Sequence, residues 1–317
     1  MTAFQILVKA AGLRTLWLGI ASVIGGTAAA AAHGKIEPYP AFVCLLFAVL
    51  AQCASNVMHR YFDAIHGYGD NEEDNIIFAE DIHRPVAEIL KEGIKIFSIL
   101  TATAGLALLS MTGWWTLIVA ALLLLIVAIS NVGPHPLSRS IFYPVATFLI
   151  FGPIAVVSTE LAQSQQHTAS VVVNWWDLRP SLTMSAIMGL MAVNCHVIFG
   201  MFHRSKNAIN SRTTFFGRYG MKAATVLLVV NTVIYTVVGI LIPVEVCIVD
   251  NRFFLILSLL SMALSFITIY YARKPGYSVA AWRLSLVNMV SFAIFALIIF
   301  CIIGYSGSYI DSSVTLF

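Results

Sequence analysis

Apolar residues fall along this chain in long unbroken runs, and polar residues collect in the short stretches between them. A stretch such as residues 117–129, LIVAALLLLIVAI, shows neither the two-residue alternation of a half-buried strand nor the 3.6-residue stripe of a surface helix. A run that is apolar on every side belongs in a membrane, where lipid offers the backbone no hydrogen bonds and the chain must supply them itself as a helix. Crossing the hydrocarbon takes roughly 20 residues. Runs of that order lie near 15–33, 38–60, 93–112, 114–131, 141–163, 181–203, 221–244, 253–272 and 282–304. The predicted fold is therefore all-α, a polytopic bundle of about nine transmembrane helices rather than a barrel, whose strands would alternate with period two. Because the connections are short, we expect one compact domain over residues 1–317 with no soluble appendage.

Composition agrees with the pattern. Hydrophobic residues make up 59% of the chain, charged residues 10%, and the mean hydropathy is +0.88, a balance outside the range of soluble globular domains. Lys9 and Arg14 ahead of an apolar stretch superficially match a secretory signal. We expect a membrane helix instead, since the apolar run is too long for a signal core and lacks a convincing cleavage site. Cys44, Cys53, Cys195, Cys247 and Cys301 fall within or beside apolar runs, without metal-ligand or redox spacing, and are expected to be packing residues.

Positive charge sets the expected orientation. Of the 18 Lys and Arg residues, only Lys35, Arg179 and Arg252 fall on the face opposite the N-terminus, so the other 15 mark the cytoplasmic side of an inner membrane. Trp17, Trp114, Trp115, Trp175, Trp176 and Trp282 lie near the ends of runs, as an interfacial belt requires. No nucleic-acid partner is expected.

Two polar clusters end even-numbered segments and therefore share the cytoplasmic face. Residues 50–70, LAQCASNVMHRYFDAIHGYGD, carry Asn56, His59, Arg60, Asp63 and Asp70. Residues 194–220, NCHVIFGMFHRSKNAINSRTTFFGRYG, carry Asn194, His196, His203, Asn207, Arg212 and Arg218, with His203 and Asn207 one helical turn apart. Arg14 is read both as an interfacial anchor and as a ligand contact. The acidic run Asp70, Glu72, Glu73 and Asp74 lacks the spacing of an EF-hand and reads as a solvated loop. Gly152-Pro153 lies inside a membrane run and should kink or open that helix. Asn231 and Asn288 are placed to tie helices together. A charged mouth over a greasy interior suits an amphiphile with an anionic head and an apolar tail, such as a polyprenyl diphosphate.

LRTLWLGIASVIGGTA, the spaced LAQ, SN and YFDA of residues 50–64, RPVAEILKEGIK, GPHPLSRSIFYPVATFLIFGPIAVVST and RTTFFGRYG follow one another in that order. Together these separated patterns resemble the UbiA superfamily of intramembrane prenyltransferases, in its dihydroxynaphthoate (menaquinone) branch. The resemblance implies nine helices, two cytoplasmic motif loops at 56–92 and 194–220, and transfer of a polyprenyl group from its diphosphate to an aromatic or other lipid acceptor. It also implies Mg²⁺ held on the diphosphate by Asp-rich motifs. Here those motifs are broken. Asn56, Tyr61, Asp63 and Gly67 keep their places, whereas His59 and Arg60 stand where the pattern has Asn and Asp, and Asp70 falls one residue late. In the second motif His203 and Asn207 occupy the two Asp positions, with Ser211 and Arg212 in place of Gly and Lys.

The implied substrate site comprises Arg14, Asn56, His59, Arg60, Asn194, His203, Asn207, Arg212 and Arg218, with Arg60, Asp63 and His203 as the catalytic candidates. Asp63 and Asp70 are the remaining candidates for a metal, and a guanidinium among them disfavours two ordinary Mg²⁺ ions. Three functions stay open: a diverged prenyltransferase; a non-catalytic relative that binds isoprenoid or quinone lipids or serves as a membrane subunit for a protein partner; and a transporter or channel, against which nearly all ionisable groups sit at one face, with Glu160 near the other end of the fifth segment.

Overall fold

Among the described residues, seven helices are long and apolar enough to cross a membrane, and two further apolar helices have 17 residues each. The computed structural model describes residues 3–65, 85–132, 136–164, 175–202, 215–246, 252–274 and 276–314, and among them all regular structure is helical. In chain order the helices are α1 (Ala3–Ala10), α2 (Leu16–Ala32), α3 (Pro38–Ile65), α4 (Pro85–Thr112), α5 (Trp115–Asn131), α6 (Tyr143–Ser164), α7 (Trp175–Phe202), α8 (Phe215–Val246), α9 (Arg252–Ala272) and α10 (Ser278–Val314). Each of the nine predicted segments coincides with one of α2 to α10. The sequence pattern misses α1, which is too short to span and instead packs on α3 and α4 with Ile6 and Ala10 buried and Phe4 exposed.

Helices α2 and α7 form the centre. The apolar window of α7 is 67% buried against 11% for α4, which faces lipid along most of its length. Both central helices contact α6 and α10 as well as each other, while α3 packs on α2 and α8 on α7. Between apolar helices in lipid there is little hydrophobic gain, so association rests on close backbone approach and on interhelical hydrogen bonds. The small residues of α2 supply the first: a Cβ added at Gly26 would stand 2.5 Å from the carbonyl oxygen of Val156 in α6. At Gly152 of α6 it would meet the Ser185 carbonyl oxygen of α7, also at 2.5 Å.

The predicted disturbance at Gly152-Pro153 is present as a π-helical stretch over Ile150–Val157. Pro153 has no N–H for the helical ladder and its ring pushes on the preceding turn, so the wider turn relieves a clash that an α-helix would keep. Ser158 closes the stretch by donating its hydroxyl to the Ile154 carbonyl. In α8 the chain breaks at Gly220, whose φ of 73° is left-handed, so the membrane part of that helix starts at Met221.

Interhelical hydrogen bonds supply the second element. Tyr235 of α8, Ser261 and Ser265 of α9 and Asn288 of α10 form one buried network. The Tyr235 hydroxyl lies 2.6 Å from Ser265 Oγ, and the Asn288 amide donates to the Ser261 carbonyl at 3.1 Å and to Ser265 Oγ at 2.9 Å. Asn288 thus ties helices, as its position in the sequence predicts.

Gly152→Ala is expected to lower the thermal midpoint of the protein in detergent. Its new methyl meets backbone rather than a yielding side chain, and overpacking of that kind costs about 1–3 kcal/mol. Gly105→Ala, which meets the Phe47 ring at 3.3 Å, should shift the midpoint less. Equal midpoints for the two variants would contradict the tight α6–α7 contact.

Candidate functional site

Helix α3 carries a polar stripe. Gln52, Asn56, His59 and Asp63 are spaced by four, three and four residues, which puts them on one helical face. The first two are structural. Gln52 Nε2 donates to the Thr15 carbonyl at 2.7 Å, and Asn56 Nδ2 donates to the Ala11 carbonyl at 2.8 Å and to Thr15 Oγ1 at 3.0 Å. They clasp the turn between α1 and α2, where Gly12 takes a left-handed φ of 63°. A Cβ there would stand 3.0 Å from Asn56 Nδ2, so glycine serves both the turn and the approach of α3.

The last two residues of the stripe meet charge. His59 Nε2 lies 3.4 Å from Asp63 Oδ2, as expected for side chains one turn apart. The other carboxylate oxygen, Oδ1, accepts a charge-assisted hydrogen bond from Arg139 Nη2. Arg139 arrives on a short 3₁₀ turn, Leu137–Arg139, opened by Pro136 in an extended conformation. The Arg139 N–H donates to the Pro136 carbonyl at 3.0 Å, and the Ser140 N–H to that of Leu137 at 2.9 Å. At the end of α5, Asn131 Nδ2 donates to Ser55 Oγ at 3.2 Å, which pins the start of this link against α3. The side chains of Arg139 and Asp63 are 12% and 18% exposed. So little water reaches the pair that removing one partner would leave the other charge poorly solvated.

A third element joins from α7. The rings of Tyr143, at the start of α6, and His196 lie edge to face with centroids 4.6 Å apart, and His196 is within electrostatic range of His59. The ends of α3, α6 and α7 therefore meet at the charged end of the bundle. Beside the Leu137–Arg139 turn an apolar groove of about 190 Å³ runs between α5 and α6. Ile129, Phe142 and Val145 in its wall are exposed, so it opens to lipid.

The predicted site residues separate. His59, Arg60 and Asp63 share the last turns of α3, with Arg60 half-buried. Asn56 is a clasp for the α1–α2 turn. Asn194 is a helix tie: its Oδ1 accepts from Asn231 at 3.1 Å and its Nδ2 donates to Thr232 Oγ1 at 3.2 Å, joining α7 to α8. Arg14 is exposed beyond the same α1–α2 turn. Arg218 is exposed on the short piece of α8 before Gly220, with its guanidinium 5.9 Å from the Tyr219 ring centroid. Asp70, His203, Asn207 and Arg212 lie outside the described residues. Glu160 is buried at 3% exposure at the opposite end, in electrostatic range of His33 and Lys35. Sequence reasoning placed His196 in the second polar cluster but missed Arg139 and Tyr143 as members of the site. The available signal was a lone Arg in a Pro- and Ser-rich link on the same face as Asp63.

An all-helical membrane bundle with a charged mouth over an apolar interior defines the class. Residues 18–292 match the UbiA prenyltransferase family, and the chain belongs to that family. It is 28% identical over 187 residues to the 1,4-dihydroxy-2-naphthoate octaprenyltransferase of Mycobacterium tuberculosis, an alignment covering 59% of this chain and 62% of that protein. The protein of the same name from Mycobacterium leprae is 25% identical over 193 residues, covering 61% and 63%. Among solved structures, the apo UbiA homolog from Aeropyrum pernix K1 superposes with a TM-score of 0.67 at 12% identity, over 90% of this chain and 97% of that one. The UbiA homolog from Archaeoglobus fulgidus bound to GPP and Mg²⁺ gives 0.58 at 10% identity, over 93% and 99%.

The described residues do not fit Mg²⁺. That ion takes a near-octahedral set of hard oxygens, and among the described residues no three His, Cys, Asp or Glu side chains come together. Asp63, a metal candidate on its sequence position, is bracketed by a guanidinium and an imidazole. A cation about 4 Å from a guanidinium, at an effective dielectric of about 20, is opposed by roughly 4 kcal/mol per unit charge. The other candidate, Asp70, and the acidic run after it lie outside the described residues.

A double-mutant cycle checks the pair. Asp63→Asn and Arg139→Gln are each expected to lower the thermal midpoint, and the double variant should lose less than the two combined, with a coupling of about 1–3 kcal/mol. Strict additivity would show that the two side chains do not interact.

Proposed function

We propose that this protein moves a polyprenyl group from its diphosphate to an aromatic acceptor of the dihydroxynaphthoate kind, at the cytoplasmic face of an inner membrane. The observation that carries the reading is the meeting of His59, Arg60, Asp63 and Arg139 at one end of an apolar bundle, in a chain of the UbiA prenyltransferase family. Guanidinium groups pair with phosphate oxygens in a planar, bidentate fashion, and the lipid-side groove beside Arg139 matches the chemistry of an isoprenoid tail. In such a transfer the C1–O bond breaks and diphosphate leaves with its electron pair, a bond forms from C1 to a ring carbon of the acceptor, and that carbon sheds a proton, or CO₂ where it bears the carboxyl group, to regain aromaticity. Positive charge aimed at the departing diphosphate is then the main catalytic requirement. The mycobacterial relatives are named for a dihydroxynaphthoate acceptor, and their alignment covers less than two thirds of each protein, so the acceptor is part of the proposal.

A second reading has its own support. Asp63 is engaged by Arg139 and His59, which favours a member of the family that holds an isoprenoid or quinone lipid without turning it over, alone or beside a protein partner. Purified protein supplied with polyprenyl diphosphates of several lengths and 1,4-dihydroxy-2-naphthoate separates the two. Prenylated naphthoate is expected from the first reading. Saturable lipid binding by folded protein without product would replace it with the second.

Orientation has a separate test. In a variant stripped of its native cysteines, Lys35→Cys is expected to react with a membrane-impermeant maleimide added outside the cell. Lys206→Cys should react only after the membrane is opened. The opposite pattern would reverse the bundle.

A further inference from the structure

The Asp63–Arg139 pair decides what the charged end can hold. Asp63 faces Arg139 through one oxygen and His59 through the other, while Arg60 is its neighbour within the same turns of α3. Among the described residues, two guanidiniums and one carboxylate stand at this end of α3, and such a set offers positive charge to an anion. Arg139 is also held before any ligand arrives, by the carboxylate and by the hydrogen-bonded turn from Pro136 to Ser140. A guanidinium fixed in this way offers a planar fork of N–H donors at little further cost in side-chain freedom.

We infer that the guanidinium of Arg139, set in place by Asp63, does the charge-neutralising work at this mouth, so that a prenyl diphosphate is bound without a divalent cation. The inference rests on the proposed reading of this end as a diphosphate site. Asp63 is then a positioning residue rather than a metal ligand, and the two roles differ in sign. A metal ligand replaced by Asn loses the metal and with it the ligand. A positioning carboxylate replaced by Asn keeps an oxygen for Arg139 and removes a negative charge from beside the phosphates.

The test is the binding of radiolabelled geranylgeranyl diphosphate to the full chain in nanodiscs, with EDTA and again with Mg²⁺. The wild type is expected to bind in EDTA with an affinity within about threefold of that in Mg²⁺. Arg139→Ala should weaken binding about tenfold or more, with part recovered in Arg139→Lys, as loss of a charge-assisted pair to phosphate implies. Asp63→Asn should bind in EDTA as tightly as the wild type or more tightly. Binding that needs Mg²⁺ and is lost in Asp63→Asn would overturn the inference while leaving the diphosphate site standing. No binding by folded protein under either condition would overturn both. Should Arg139→Ala fail to fold, the wild-type comparison of EDTA with Mg²⁺ decides the matter alone.

Discussion

Everything in this bundle depends on how closely α2, α6 and α7 approach one another. Lipid tails are as apolar as leucine, so helices gain little by touching unless their backbones come close enough for dispersion and hydrogen bonding to outweigh contact with lipid. Gly26 and Gly152 give that approach, since a methyl at either would collide with a carbonyl of the neighbouring helix. Pro153 widens α6 into a π-turn at the same level, and the widened turn packs on α2 and α7. The start of α6, with Tyr143 against His196 of α7, is carried to its place by this contact.

Polar side chains then divide by depth. Inside the bundle, Asn194 is satisfied by Asn231 and Thr232, and Asn288 by the serines of α9. Left alone in hydrocarbon each amide would be costly, so it is useful only as a tie. At the charged end the same requirement brings Arg139 onto Asp63, because a guanidinium that is 12% exposed needs a carboxylate. The clasp of Gln52 and Asn56 on the α1–α2 turn anchors the α3 stripe that presents His59 and Asp63. Fold and charged end are thus one arrangement, with a single face of α3 serving both.

The helices were legible in the sequence because their signal is physical length: an apolar run near 20 residues has few other places to be. A disturbance of α6 was legible in Gly152-Pro153, though not its π-helical form, and the tie at Asn288 was legible in its isolation within an apolar segment. The pairing of Asp63 was not. Sequence places Asp63 beside His59 and Arg60 on one helix, whereas its principal partner comes from a link 76 residues further on. Contacts between links depend on where two helix ends stop in space, which periodicity does not record. Asn56 and Asn194 show the converse. A polar residue at the end of an apolar run looks the same in sequence whether it faces a ligand or a neighbouring helix.

The most direct test of the account is a structure of the protein with a prenyl diphosphate bound. The account expects phosphate oxygens against the guanidinium of Arg139, near Arg60, with Asp63 still on Arg139 and no metal between carboxylate and phosphate. A cation bridging Asp63 to the diphosphate, with Arg139 displaced, would contradict it.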